Sequence, residues 1–215
     1  MSLWKVPGTL TLLIACGAVF MLELATGATH NMAVLVYLGA IVHGLLADGE
    51  YYRLVTAMFL HGGFLHLFLN MWALYQLGMI FEAMFGSLRF LLTYFAAGIV
   101  ASVVSSIFIP AGVPGVGASG AIFGILGALI IAIKRSPLWR GREWTRALTR
   151  QLSLWAGINI LIGFSVPGID NAAHIGGFVT GLILGLFPHR VAPPPPREMV
   201  IDAKPIEQQP ERRDW

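Results

Sequence analysis

Apolar residues run in long blocks along this chain, and polar residues gather between them. Six blocks read as membrane-crossing helices, at about 8–26, 65–84, 90–109, 118–133, 151–166 and 172–187. A bilayer crossing takes roughly 20 apolar residues, so each block approximates one span. The pattern predicts an all-α, polytopic membrane bundle of six transmembrane helices over 1–188. The first block has some marks of a signal-peptide core, since Lys5 precedes it and Ala25, Gly27 and Ala28 follow. A single side-chain cation before the block, and Glu23 near its end, favour a retained span.

The segment 32–47 is apolar too, but it is only 16 residues long and is broken by Gly39, His43 and Gly44. It is read as part of a long non-cytoplasmic first loop, 28–64, with interfacial and partly helical pieces. A seventh span there is the alternative. After Pro188 the run Pro193–Pro196 and interspersed charge predict an extended, unpacked cytoplasmic tail over 189–215. Its reading is a solubilising tail, with a proline-recognising partner as the alternative.

Composition sharpens this picture. Hydrophobic residues make up 56% of the 215 positions and charged residues 12%, and the mean hydropathy is +0.74. A soluble domain carries about 25% charged residues, so a water-soluble globule is disfavoured. Of the 25 charges, seven lie in 134–150 and ten in 189–215, leaving eight for the other 171 residues. With both termini placed on the cytoplasmic side, 13 of the 14 Lys and Arg residues fall inside, and only Arg53 falls outside. That asymmetry is the positive-inside pattern. The net charge of +3 therefore belongs to membrane-flanking loops, with no aromatic-interleaved basic groove for nucleic acid. A single cysteine, Cys16, excludes an intrachain disulfide and a cysteine-rich metal site. His61 and His66 are misaligned on one helix and lack an evident third partner, so neither a metal nor a cofactor is expected.

Polar groups inside spans are expensive and are functional candidates by default. His66 and Asn70 are four apart at the start of the second span and share a helix face. Ser119 opens the fourth span after the flexible run Gly112–Ala118, and His174 lies at the start of the sixth. In the assigned topology all three spans begin on the outer side, so these four residues sit at one depth. Gly120, Gly124 and Gly127 follow Ser119, while Gly177, Gly181 and Gly185 follow His174. Such small-residue stripes let helix backbones approach closely in lipid. A serine oxygen and an imidazole must come within about 2.6–3.2 Å for proton transfer, and close helix packing is a route to that. Each feature has a plainer reading alone: a packing serine, a relay, metal or packing histidine, a simple helix contact.

Together the residues resemble the rhomboid intramembrane serine proteases. The matching pieces are His61-x4-His66-x3-Asn70, Gly117-Ala118-Ser119-Gly120, and Ala173-His174-x2-Gly177-x3-Gly181. Tyr52-Arg53 in the first loop and Glu82-x3-Gly86-Ser87 after the second span also fit. Tyr52 departs from the usual tryptophan, and Phe123 stands where some members carry tyrosine. The resemblance implies a Ser119–His174 dyad, with Ser119 as nucleophile and His174 as general base. It also implies oxyanion donors from the Ser119 backbone, the Asn70 amide and the His66 ring. Gly117, Gly120, Phe123, Gly177, Gly181, Arg53 and Glu82 would be supporting residues, Phe123 by stacking under the histidine. Asp170, four residues before His174, offers a triad, but an interfacial position and a dyad are the expectation. Loop 164–171 would be a lid and the fifth span a lateral gate.

By the same resemblance the substrates are transmembrane segments of membrane proteins, cut near the outer face within the lipid bilayer. Compact size without an N-terminal targeting extension points to a bacterial plasma membrane. No motif specifies an oligomeric state. The competing readings are a non-catalytic client-binding relative and a small transporter. The latter predicts polar residues at helix centres rather than ends.

Overall fold

The computed structural model describes residues 5–138 and 141–187. The Pro-rich tail expected over 189–215 lies outside them. In chain order the helices are α1 (Pro7–Thr26), α2 (Met32–Tyr37), α3 (Arg53–Thr56), α4 (Phe64–Phe85), α5 (Ser87–Phe108), α6 (Ser119–Arg135), α7 (Glu143–Ser165) and α8 (Asn171–Leu184). Among the described residues there is no strand, only one antiparallel bridge between Ile41 and Gly115. Among the described residues three helices, α1, α4 and α5, are long and apolar enough to cross a bilayer on length and composition alone. Helix α8 has 14 residues, a rise of about 21 Å against a hydrocarbon core of about 30 Å.

One of the expected boundaries differs from the structure. The basic segment 134–150 is not all loop, because α7 begins at Glu143 and carries Arg146 and Arg150 in its first two turns. Thr145, Thr149, Leu152 and Ala156 are its buried positions there. They recur at helical spacing, so packing against α6 sets the helix start while charge sets the expected span start. In 32–47 the only helix is α2, six residues long, far too short to cross a bilayer.

Helix α6 is the centre of the bundle. Every residue from Gly120 to Ile130 is buried, as expected of a helix that is apolar all round. Its most extensive contact is with α8, and α5 packs against both. Glycine makes that contact possible. A Cβ added to Gly177 would collide with the carbonyl of Gly120, one on Gly181 with that of Gly124, and one on Gly185 would lie 2.9 Å from that of Ala128. On the α5 side, Ala101 and Ala97 fill the space above Gly120 and Gly124. Three helices thus meet at backbone distance, the packing that lipid, with no hydrophobic drive of its own, requires.

Helix α1 is tied to α4 by one carboxylate. Pro7 opens α1, and Glu82 accepts hydrogen bonds from Gly8 N–H (2.7 Å), Thr9 N–H (2.7 Å) and the Thr9 hydroxyl (2.7 Å). The first backbone N–H groups of a helix have no intrahelical acceptor, and a negative group suits the positive end of its dipole. Glu82→Ala leaves these donors buried and unmet. The unfolding free energy in detergent should fall by about 3 kcal/mol, and less in Glu82→Gln, which keeps an acceptor oxygen. A loss below about 1 kcal/mol in the alanine variant would show that the tie contributes little.

The first loop is organised around Arg53. Its guanidinium donates to the carbonyls of Val36 (2.6 Å) and Ala40 (2.8 Å) and to Glu50 (2.6 Å). The hydrogen bond from Arg53, with a second from the Tyr52 hydroxyl, holds the Glu50 carboxyl below the usual carboxylate range. Arg53 is thus a loop-building residue, remote in role from Ser119.

Candidate active site

Ser119 is the first residue of α6, and the chain reaches it along a strapped-down approach. Gly115 and Ile41 exchange backbone hydrogen bonds of 2.9 and 2.8 Å, and Gly117 N–H donates to Ala57 (2.9 Å). Gly117 has φ +120°, a region that favours glycine. A Cβ there would also lie 2.8 Å from the His66 Nε2. The imidazole of His66 therefore rests on the backbone two residues before Ser119. Ala118 provides no side-chain cap, so the first N–H groups of α6 stay available as donors.

His66 and Asn70 lie one turn apart at the start of α4. The Asn70 amide donates one hydrogen to the His66 carbonyl (2.9 Å), and an amide NH2 has a second to give. Behind His66 stands His61, whose ring is set edge-on to it with centroids 5.3 Å apart. The His61 Nδ1 faces the Phe59 carbonyl at 3.1 Å, and a carbonyl only accepts, so Nδ1 carries the proton. The His61 backbone N–H donates to Glu23 (2.9 Å), a fully buried carboxyl on α1.

His174 is buried on the first turn of α8. Its ring stacks on Phe123 of α6, with centroids 4.3 Å apart and planes 14° from parallel. The offset of four residues keeps Phe123 on the Ser119 side of α6. Trp155 of α7 covers Phe123 in turn, at 5.8 Å. The α6–α8 contact carries Ser119 and His174 together, because a Cβ on Gly120 would lie 3.4 Å from the carbonyl of Ala173. The residue after Ser119 thus lies close to the residue before His174.

A small cavity of about 30 Å³ opens beside Ser119, lined also by Gly117, Ser102, Ser105 and Asp170. That is room for a water molecule, with polar partners to hold it. Asp170, expected at the aqueous interface, is half-buried. It caps α8 by accepting from Ala173 N–H (2.9 Å) and accepts a short hydrogen bond from the Ser105 hydroxyl of α5. Its oxygens thus serve a helix end and a neighbouring helix.

The structure gathers Ser119, His174, Phe123, Gly117, His66 and Asn70 at one end of α4, α6 and α8. Gly120, Gly177 and Gly181 form the helix contact beneath them, while Arg53 and Glu82 lie apart, building the loop and the α1 tie. Sequence reasoning missed the Glu23–His61 bond, the Ser105–Asp170 bond and Trp155. All three join segments far apart in the chain, and only the odd acid in an apolar span, Glu23, gave a signal.

The chain is similar in sequence to known proteins. The model of the rhomboid domain matches residues 48–191. The chain is 44% identical over 162 residues to "Rhomboid protease GluP" of Bacillus subtilis, covering 75% of this chain and 31% of that one. It is 40% identical over 156 residues to "RHOMBOID-like protein 5" of Arabidopsis thaliana, covering 72% and 50%. A third relative, "Inactive RHOMBOID-like protein 8" of the same plant, is 34% identical over 152 residues, covering 70% and 42%. The chain thus spans from 31% to 50% of the length of these curated relatives.

Proposed function

The chain belongs to the rhomboid family, and from that premise we propose that it is an intramembrane serine endopeptidase working through Ser119 and His174. As a family member with apolar helices of bilayer length it is an integral membrane protein. In the proposed topology six helices, α1 and α4 to α8, cross or enter the bilayer, with both termini cytoplasmic and Ser119 toward the outer side of a bacterial plasma membrane. The lopsided distribution of Lys and Arg supports that orientation.

The observation that carries the reading is the close approach of Gly120 to Ala173, with room for no more than a methyl group between them, which sets the first turns of α6 and α8 side by side. His174 takes the proton from Ser119 as the hydroxyl oxygen attacks the peptide carbonyl. The carbonyl π electrons move to its oxygen, giving a tetrahedral oxyanion. Collapse expels the amine, protonated by His174, and leaves an acyl-enzyme that water hydrolyses in the same manner. The free N–H of Ser119, the second hydrogen of the Asn70 amide and the His66 ring face the oxyanion. One such donor contributes about 2.7–4 kcal/mol to lowering the barrier. Stacking on Phe123 holds the His174 ring at one angle, so little reorientation is needed at the moment of transfer. Substrates are transmembrane helices, admitted beside α7, with 164–171 as the lid.

The second reading, a client-binding protein without catalysis, is suggested by a relative whose name calls it inactive. Polar groups gathered at helix ends disfavour a transporter, the third reading. A serine-directed fluorophosphonate separates protease from binder. The purified chain should be labelled stoichiometrically and Ser119→Ala not at all. An unreactive wild type, or labelling that survives the substitution, would remove the protease assignment.

A further inference from the structure

A second and larger cavity lies at the opposite end of the bundle, between the end of α6 and the first turns of α7. It measures about 280 Å³ and is lined by Lys134, Thr145, Arg146, Thr149, Arg150 and Ser153. That is close to the lower bound, about 300 Å³, of small-molecule pockets. Three of these side chains are cations and none is an acid. Among the described residues the ion pairing is between Arg53 and Glu50, so Lys134, Arg146 and Arg150 have no carboxylate partner there. Glu143, the one acid in 134–150, is not part of the lining. Arg146 donates to the Gly141 carbonyl (3.1 Å), which keeps its guanidinium at the rim. The Thr145 hydroxyl donates to the carbonyl of Arg142, just before α7, at 2.6 Å, and the Thr149 hydroxyl to that of Thr145 at 2.8 Å. Among the described residues the positive charge lining the cavity is therefore uncompensated, and an anionic group is its complement.

The helix face above the cavity says which anion. Arg150, Leu154, Ile158 and Leu161 recur at i, i+4, i+8 and i+11 on one side of α7. The three apolar members are 60%, 53% and 68% exposed. From Arg150 to Leu161 the helix rises about 16 Å, half of a hydrocarbon core of about 30 Å. A cationic cradle continued by one leaflet's depth of apolar track fits an amphiphile with an acidic head, not a free ion. Basic pockets between membrane helices on the positive side are suited to such headgroups.

We propose that the cavity between α6 and α7 binds the phosphate of an acidic glycerophospholipid, whose acyl chains lie along Leu154, Ile158 and Leu161. The proposal rests on the chain spanning a bilayer and not on Ser119 or His174, so it can fail while the protease reading stands.

Native mass spectrometry of the full chain in neutral detergent tests it, with phosphatidylglycerol, phosphatidylcholine and inorganic phosphate as the probes. Phosphatidylglycerol should occupy one site at least tenfold more tightly than phosphatidylcholine. Inorganic phosphate at the same concentration should not displace it. The Lys134→Gln, Arg146→Gln, Arg150→Gln triple variant should lose at least tenfold in affinity. The pair Arg135→Gln, Arg142→Gln, equally exposed but outside the lining, should change it less than twofold. Arg150→Gln alone, at one exposed side chain, should lose about threefold, and it keeps the test open should the triple variant fold poorly. Equal losses in the lining and control variants, or no preference for phosphatidylglycerol, would overturn the site. Displacement by inorganic phosphate would overturn the lipid as its occupant.

Discussion

Ser119→Ala should cut turnover of a transmembrane substrate by at least about 10⁴-fold while the protein melts at an unchanged temperature. The change removes one oxygen from a half-buried side chain and creates no clash. His174→Ala should lose a comparable factor, because a serine hydroxyl without a base to accept its proton is a poor nucleophile. The double variant should be scarcely worse than either single one, since groups that act as a unit lose their effect together. Turnover of a fluorogenic transmembrane peptide in proteoliposomes measures all three. Either single variant retaining more than about a tenth of wild-type turnover would refute the dyad, and additive losses would argue that the two side chains act in separate steps.

Gly177→Val should have the largest effect on folding. A side chain there collides with the backbone carbonyl of Gly120, and backbone cannot swing aside as a side-chain tip can. Overpacking typically costs about 1–3 kcal/mol and more where nothing can yield, so a loss of at least about 3 kcal/mol is expected. Fluorophosphonate labelling should vanish with it, although Ser119 and His174 are both present, because their helices are forced apart. Gly157→Ala is the control, since nothing lies within 4 Å of a Cβ at that position of α7. It should be neutral or slightly stabilising, as alanine favours a helix over glycine. Unfolding in detergent compares the two, and a Gly177→Val variant as stable as Gly157→Ala would contradict the packing argument.

Much of this arrangement was legible in the sequence, for reasons that differ by residue. Helices α1, α4 and α5 announce themselves because their apolar runs have bilayer length. The glycines after Ser119 and His174 were readable as a contact because small residues at every third or fourth position have few other uses in lipid. The start of α7 was not readable, because hydropathy reports immersion and not helicity. Arg146 and Arg150 belong outside the hydrocarbon yet lie on a well-packed helix. The hydrogen bonds of Glu23 to His61 and of Ser105 to Asp170 were illegible for a different reason. Each joins residues whose proximity is set by the whole bundle, and no local spacing encodes it. Arg53 and Glu82 fell between these cases, since their types marked them as unusual but not what they would hold.

The glycine contact between α6 and α8 has an entropic consequence. A side chain that packs must give up rotamers, at up to about 2 kcal/mol for the longest, and glycine has none to give up. Bringing α6 against α8 therefore freezes almost nothing beyond the helices themselves. The spacing between the first turns of the two helices is set by carbonyl and Cα atoms, which have no alternative conformers to sample. On the proposed reading, the distance from nucleophile to base is inherited from main-chain geometry, and heat has few local degrees of freedom with which to blur it.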